Sequence, residues 1–537
     1  MPEHHAANVS ETILRSGGNA VDAAVGAGFV LSVTLPEAGN IGGGGFMLIH
    51  INNESSFLDY RETAPLAAHR DMYLDGDGNV IENASLIGAR ATAVPGTVAG
   101  LWAAHQRFGS LPWRDLVMPA VRLARDGFIV PKTLADLVDE HDDWFRSTNF
   151  SHYFGEATAG EQFYQPELAE TLQRIADHGP DGFYAGETAA KIVEFMHRND
   201  GLISLEDLRR YKAVWREPLR ARWREFEVIS APPPSSGGFA VIQLLKMKQY
   251  LAKEFAELSH NSPQYIHLIA EMEKRVFADR AEYLGDPDFV DVRIDELLSD
   301  EYIARRAREV NPTAISRLGE SLPGLESRHT THFSILDSHG NAVSNTYTLN
   351  WTFGSGEVVE GAGFLLNDEM DDFSVKPGVP NIYGVVGNAA NEIQPGKRML
   401  SSMAPTIMLR EGSVSTVIGT PGGSTIFTSV LQGIVNMIEF GMSPFESAGA
   451  SRFHHQLLPP DLITYSPGRP LSDAVISTLR GRGYTVKPHD WEFGDLQIIH
   501  RDGVTLQAGS DRRHRGESRV FSIGSATDFG ERTILDE

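Results

Sequence analysis

The chain has 537 residues, 41% of them hydrophobic and 22% charged, which fits a folded protein of one large or two to three smaller domains and excludes a fibrous or disordered chain. Its formal net charge of −24 argues against nucleic acid or an anionic membrane surface as a partner, because phosphate binding needs clustered Lys and Arg. There is no cysteine, so disulfides, thiolate nucleophiles and cysteine-ligated metals drop out together.

The first predicted element is an amphipathic helix from about Ala7 to Leu14, stopped by Gly17-Gly18. Asn19 then caps a second, mostly buried helix from Ala20 to about Ser32. AVDAAVGAGFVLSVTLPEAG is the longest candidate for a membrane span, but Asp22 and Glu37 interrupt it. The opening MPEHHAANVSE has neither the basic start nor the apolar core of a signal peptide. Gly42 to Gly45 lead into an apolar strand; a phosphate loop needs the opposite order, strand then helix, so these glycines are expected to serve close backbone packing. LDGDGN, from residue 74 to 79, resembles a calcium loop but puts Val80 and Leu86 where Gly and Glu belong, and reads as a turn.

From about residue 95 to 310 the chain reads as mainly helical, with a long helix opened by Ser262-Pro263 and carrying Ile266, Ile269, Ala270 and Phe277 on one face. APPPSSGGF, 231 to 239, interrupts this region and either lines a site or turns the chain. Past residue 328 strands and turns prevail, in THFSILDS, NAVSNTYTLN, STVIGTPGG and TLQAGS, with helices returning near 424–440 and 471–481. The order implies an α+β sheet core with helical layers.

RHTTHFSILDSHGNAVSNTYTLN, 328 to 350, concentrates small hydroxyls on one predicted hairpin. DSHGN is its loop, with Gly340 free to take positive φ. A loop centred on His339 pairs positions summing to 678, which sets Thr330 against Thr348. Threonine pairs are ordinary in sheets, and a threonine hydroxyl is a weak nucleophile. The nearby His332 is expected on the opposite strand face. A threonine that becomes a chain terminus has its own α-amine as base, which would require cleavage between His329 and Thr330.

GGNAVDAAVGAGFVLSVTLPEAGNIGGGGFML, LDYRETAP, AVPGTVAGL, PPPSSGGF, FADRAEYLGDPDFV, TTHFSILDSHGNAVSNTYTLN, LLNDEMDDFSVKPGVPN, LSSMAPT and GTPGGS resemble, in order and over nearly the whole chain, the gamma-glutamyltransferases, or gamma-glutamyl transpeptidases. The resemblance implies the N-terminal nucleophile hydrolase fold, a four-layer αββα sandwich made as a precursor that cuts itself before Thr330 into a large chain, 1–329, and a small chain, 330–537, intertwined in one domain. It implies that Thr330 then carries a gamma-glutamyl ester taken from glutathione or a similar compound, resolved by water, an amino acid or a peptide.

Residue by residue, Thr348 matches the threonine that supports the nucleophile, and Gly422 and Gly423 match the glycines whose amides form the oxyanion hole. Arg61, Ser401 and Ser402 match the residues on the donor α-carboxylate, and Asn350, Glu369 and Asp372 those around its α-ammonium. KPGVPNIYG, 376 to 384, resembles a lid loop with Tyr383 at the covering position, which implies a small shielded donor pocket poorly suited to poly-gamma-glutamate. The family chemistry needs no metal or cofactor, and the carboxylates of NDEMDD lack the spacing of a metal motif. Relatives carry a strand and an export signal upstream of the first helix, so a periplasmic or secreted location is expected. The rival readings are a cephalosporin (glutaryl) acylase, which shares the self-cleaved threonine, and an uncleaved relative that only binds gamma-glutamyl compounds.

Overall fold

The computed structural model describes residues 1–316, 330–376 and 378–522. Two antiparallel sheets lie face to face between helical layers. In the first, Gly44–Ile51 is flanked on one side by Glu54–Tyr60 and then Val214–Arg216, and on the other by Ala342–Thr348 and then Thr330–Leu336. The second runs in the order Thr505–Ser510, Gln497–Asp502, Ser413–Gly419, Thr406–Arg410, Phe226–Ser230, Leu219–Trp223.

Strand Gly44–Ile51 shows how the layers stack, because every one of its residues is buried. Met47 and Ile49 join the apolar core that contains helix Ala20–Thr34. Phe46 and Leu48 join the other core, with Ile407 and Val417 of the second sheet and helices Gly237–Tyr250, Pro263–Tyr283 and Ile426–Ile438. A strand sends alternate side chains to opposite faces, so apolar residues at successive positions mean a sheet covered on both sides. The expected αββα sandwich is the observed one.

The second helix starts where its cap was read: Asn19 Oδ1 accepts the N–H groups of Val21 (2.8 Å) and Asp22 (3.0 Å), and Asp22 returns a bond to the Asn19 N–H (2.9 Å). The first helix begins earlier than expected, at His4, because Glu3 caps it through the N–H groups of His5 and Ala6. The 74–79 stretch is a turn, with Asp75 Oδ1 accepting from the N–H groups of Asp77 (3.0 Å) and Asn79 (2.8 Å). One correction falls in the region read as mainly helical. Val214–Arg216, Leu219–Trp223 and Phe226–Ser230 are strands that bridge the two sheets. Leu219, Ala221 and Trp223 alternating with Arg220 and Arg222 was the available signal, partly hidden by Pro218 and by the density of charge.

The glycine run packs backbone on backbone, as expected. A Cβ at Gly42 would lie 2.0 Å from Leu365 O, and one at Gly43 2.0 Å from Thr348 O. Side chains there would push the end of the threonine hairpin out of the sheet.

Candidate active site

The hairpin register is the one derived from its loop. Thr330 pairs with Thr348, Thr331 with Tyr347 and His332 with Thr346. Asp337 Oδ1 closes the loop by accepting the N–H groups of His339 (2.8 Å) and Asn341 (3.0 Å), and Gly340 sits at φ +84°. Thr330 opens its strand at the end nearest the loops that form the site.

His332 needs correction. Two residues along a strand return to the same face, so His332 shares the face of Thr330 and does not point away from it. It is turned inward between the sheets, with Nδ1 on Thr346 Oγ1 (2.8 Å), Nε2 on Ser334 Oγ (3.1 Å) and its ring against Gly419. Complete burial holds its pKa well below the ordinary histidine value, so it is a neutral packing residue.

The chain leaves Thr348 through a tight bend. Asn350 adopts φ +79°, a conformation asparagine tolerates better than most residues, and its N–H donates to Thr348 Oγ1 (2.8 Å). Asn40, which the sequence reading did not single out, fixes the same corner from the loop that leads into strand Gly44–Ile51. Its Nδ2 donates to Thr348 O (2.8 Å), while its Oδ1 accepts the Gly43 N–H (2.9 Å) and Thr97 Oγ1 (2.7 Å).

Arg61 follows strand Glu54–Tyr60 and is fully buried among carboxylates. It hydrogen-bonds Asp372 Oδ2, forms an ion pair with Glu369 (2.5 Å) that is not aligned as a hydrogen bond, and lies 3.5 Å from Glu62. Burial opposes its charge, but Glu369, Asp372 and Glu62 together keep its pKa above the ordinary arginine value. The carboxylates carry the complementary cost: burial raises Glu62 to about 8, against the pull of Arg61, and raises Glu369 and Asp372 as well. Neither oxygen of Glu369 has a hydrogen-bond partner among the described residues.

Ser401 and Ser402 are held by the segment whose role the sequence left open. Ser236 N (2.8 Å) and Oγ (2.7 Å) donate to Ser401 O, and Ser235 Oγ donates to Met403 O (2.6 Å). Arg280 joins this group from helix Pro263–Tyr283, its Nε donating to Ser236 Oγ (3.0 Å). It lies within FADRAEYLGDPDFV, where nothing local in the sequence points to the site.

Gly422 and Gly423 precede helix Ile426–Ile438 through one 3-10 turn, Gly423–Thr425, where the first N–H groups lack intrahelical partners. Gly422 lies at φ +130° and Gly423 at φ +53°. A Cβ on Gly423 would stand 2.4 Å from the Tyr383 ring, so glycine is required by conformation and by the close approach of the lid. Tyr383 reaches across the site, its hydroxyl donating to Asn350 O (2.8 Å) and Oδ1. Asp371 tethers the loop by accepting the Ile382 N–H (3.0 Å), and Asp372 by accepting from Asn381 (3.1 Å).

A cavity of about 20 Å³ lies among Arg61, Arg280, Thr330, Thr348, Asn350, Asp372, Tyr383, Ser401, Ser402 and Gly423, room for about one water. Of the expected site residues, Glu369 and Gly422 are not part of this lining, and His329 lies outside the described residues. Pro377 of the lid does too. A second cavity of about 360 Å³, bordered by Glu37, Asp136, Glu492, Asp495 and Arg515, shares only Thr330 with the first. The one grouping of described His and acidic side chains close enough to share an ion is Glu3, His4 and His5, which lines neither cavity.

A profile of the gamma-glutamyltranspeptidases matches residues 6–521. The chain belongs to this family. Enzyme class and fold come with that membership: a gamma-glutamyltransferase on the N-terminal nucleophile hydrolase scaffold. It is 56% identical over 520 residues to a glutathione hydrolase proenzyme of Pseudomonas aeruginosa, covering 97% of this chain and 93% of that one. It is 46% identical to the Escherichia coli glutathione hydrolase proenzyme, covering 85% and 80%. A solved gamma-glutamyltranspeptidase from Pseudomonas nitroreducens, complexed with L-DON, is 53% identical, with a TM-score of 0.59 over 59% of this chain and 95% of that one. A cephalosporin acylase from Bacillus halodurans superposes with a TM-score of 0.85 over 97% and 95% of the two chains, at 26% identity. No helix among the described residues is long and apolar enough to cross a membrane.

Proposed function

We propose that this transferase matures by cutting itself before Thr330 and then moves the gamma-glutamyl group of glutathione or a similar donor to water, an amino acid or a peptide. The pairing of Thr330 with Thr348 beside a cavity lined by Arg61, Ser401 and Ser402 carries this reading. In maturation, Thr330 Oγ attacks the His329 carbonyl, the His329–Thr330 amide bond breaks as the ester forms, and water hydrolyses that ester. The products are 1–329, ending in a carboxylate, and 330–537, beginning with a free α-amine.

In turnover the α-amine takes the Thr330 hydroxyl proton while Oγ bonds to the donor γ-carbonyl carbon. The amides of Gly422 and Gly423 stabilise the oxyanion, and the proton passes to the departing amine as its bond to carbon breaks. Water or an acceptor amine then attacks the ester and returns Thr330. Glu369, Asp372 and Asn350 hold the donor α-ammonium, a role that suits Glu369, whose oxygens have the Arg61 ion pair but no hydrogen bond among the described residues. The second cavity receives the leaving amine and the acceptor, since it meets the first at the nucleophile alone. The closed cavity is too small for a glutamyl group, so Tyr383 must part from Asn350 to admit it.

Incubation of the purified chain, followed by intact mass measurement, tests the first step: two fragments, the smaller beginning at Thr330, are expected. The matured protein is then given paired gamma-glutamyl and glutaryl anilides, which differ only in the α-ammonium. Preference for the gamma-glutamyl compound supports the reading; preference for glutaryl makes it an acylase, and an unsplit chain that binds glutathione without turnover makes it a binding protein.

A further inference from the structure

Two guanidinium groups border the donor cavity, and their surroundings differ. Arg61 touches two carboxyl groups and lies near a third, so its terminal nitrogens are engaged before any ligand arrives. Arg280 is 5% exposed and makes one hydrogen bond among the described residues, from Nε to Ser236 Oγ; it forms no ion pair there. Its two terminal nitrogens therefore keep their donors, and the residue borders the cavity with Ser401 and Ser402. Burial pulls its pKa down to about 10 against the attraction of Asp372, so it remains charged at neutral pH.

A buried cation without a counter-ion is costly, and its fork of parallel donors fits a carboxylate. We propose that Arg280 is a second binding residue for the donor α-carboxylate, completing with Ser401 and Ser402 one subsite of the cavity. This rests on the gamma-glutamyl reading above. Ser236 links the two halves of the subsite, since it accepts from Arg280 and donates to Ser401 O.

Direct binding to the matured protein tests this independently of turnover, using L-glutamate, glutarate, which lacks the ammonium, and 4-aminobutyrate, which lacks the α-carboxylate. Arg280→Met is expected to weaken L-glutamate and glutarate on the order of 10- to 100-fold while 4-aminobutyrate changes less than about twofold. Arg280→Lys should restore part of the loss. An equal loss for 4-aminobutyrate would show that Arg280 only supports the local structure and would overturn the proposal, as would unchanged L-glutamate affinity. If Arg280→Met fails to mature, Arg280→Lys and Ser236→Ala carry the same comparison, with a smaller selective loss for the two α-carboxylate ligands expected in each. Wild type that binds L-glutamate with this Arg280 dependence but turns over no gamma-glutamyl donor would sink the functional reading and leave the subsite standing.

Discussion

The threonine hairpin and the donor clamp meet at one cavity but are built in opposite ways. In the hairpin, the polar groups that set the geometry find partners nearby or in the loop entering the adjoining strand: Asp337 closes the loop, Asn350 bonds Thr348, and Asn40 holds the Thr348 carbonyl. In the clamp, Arg61, Arg280, Glu369 and Ser401 come from four distant parts of the chain, and several of their polar atoms are left unsatisfied or balanced only by one another. The difference teaches where each kind of residue spends its stability. The hairpin is a rigid mount for a nucleophile, whereas the clamp holds charges whose cost a zwitterionic ligand would relieve.

Thr330→Ala tests the mount most severely. It should leave the chain whole on a denaturing gel and reduce gamma-glutamyl hydrolysis by at least about 1000-fold, with the fold retained by circular dichroism. Splitting at the same bond in this variant would remove the hairpin from the chemistry. Arg61→Met attacks the clamp: Glu62, Glu369 and Asp372 would lose their shared buried cation, and denaturant unfolding should register a loss of about 3–5 kcal/mol. Undiminished stability would mean that these carboxylates are protonated and need no counter-ion.

Gly423→Ala acts where mount and clamp meet under the lid. Its φ of +53° and the 2.4 Å approach to Tyr383 predict a fall in kcat of about 100-fold, read on matured protein; activity within twofold of wild type would relocate the oxyanion site. The smallest effect concerns the lid tether. Burial raises the Asp371 pKa to about 7, so between about pH 4 and 7 the folded state keeps a proton that the unfolded state has released. Stability from this group is therefore full below pH 4, declines as pH rises to 7, and is constant above. The slope is at most about 1.4 kcal/mol per pH unit. Asp371→Asn should flatten that part of the stability profile, and unfolding midpoints at pH 5 and 8 measure it. An unchanged difference between the two pH values would show that other groups carry the slope.

Legibility in the sequence followed the same division. The buried second helix, its Asn19 cap and the 330–348 pairing rest on local rules, namely capping, loop chemistry and two-residue alternation, and each was read correctly from the residues. Alternation was also where the reading slipped, at His332, whose face follows from the same rule that placed Thr348. The strands at 214–230 were missed because charge and a proline masked their alternation. Arg61 and the LSSMAPT serines gave no local sign of a shared site; their resemblance to a family did.

By itself, the sequence determined the family, the sandwich fold and the register that sets Thr330 against Thr348, because these depend on motif order, hydrophobic pattern and a five-residue loop. Only the tertiary structure decided which guanidinium at the donor cavity is already paired with carboxyl groups and which is not. Arg61 and Arg280 are the same residue type in the sequence, but one is enclosed by carboxylates and the other is anchored by a single serine hydroxyl. Electrostatic balance in a buried site depends on neighbours within a few ångströms, and folding selects those neighbours from positions hundreds of residues apart.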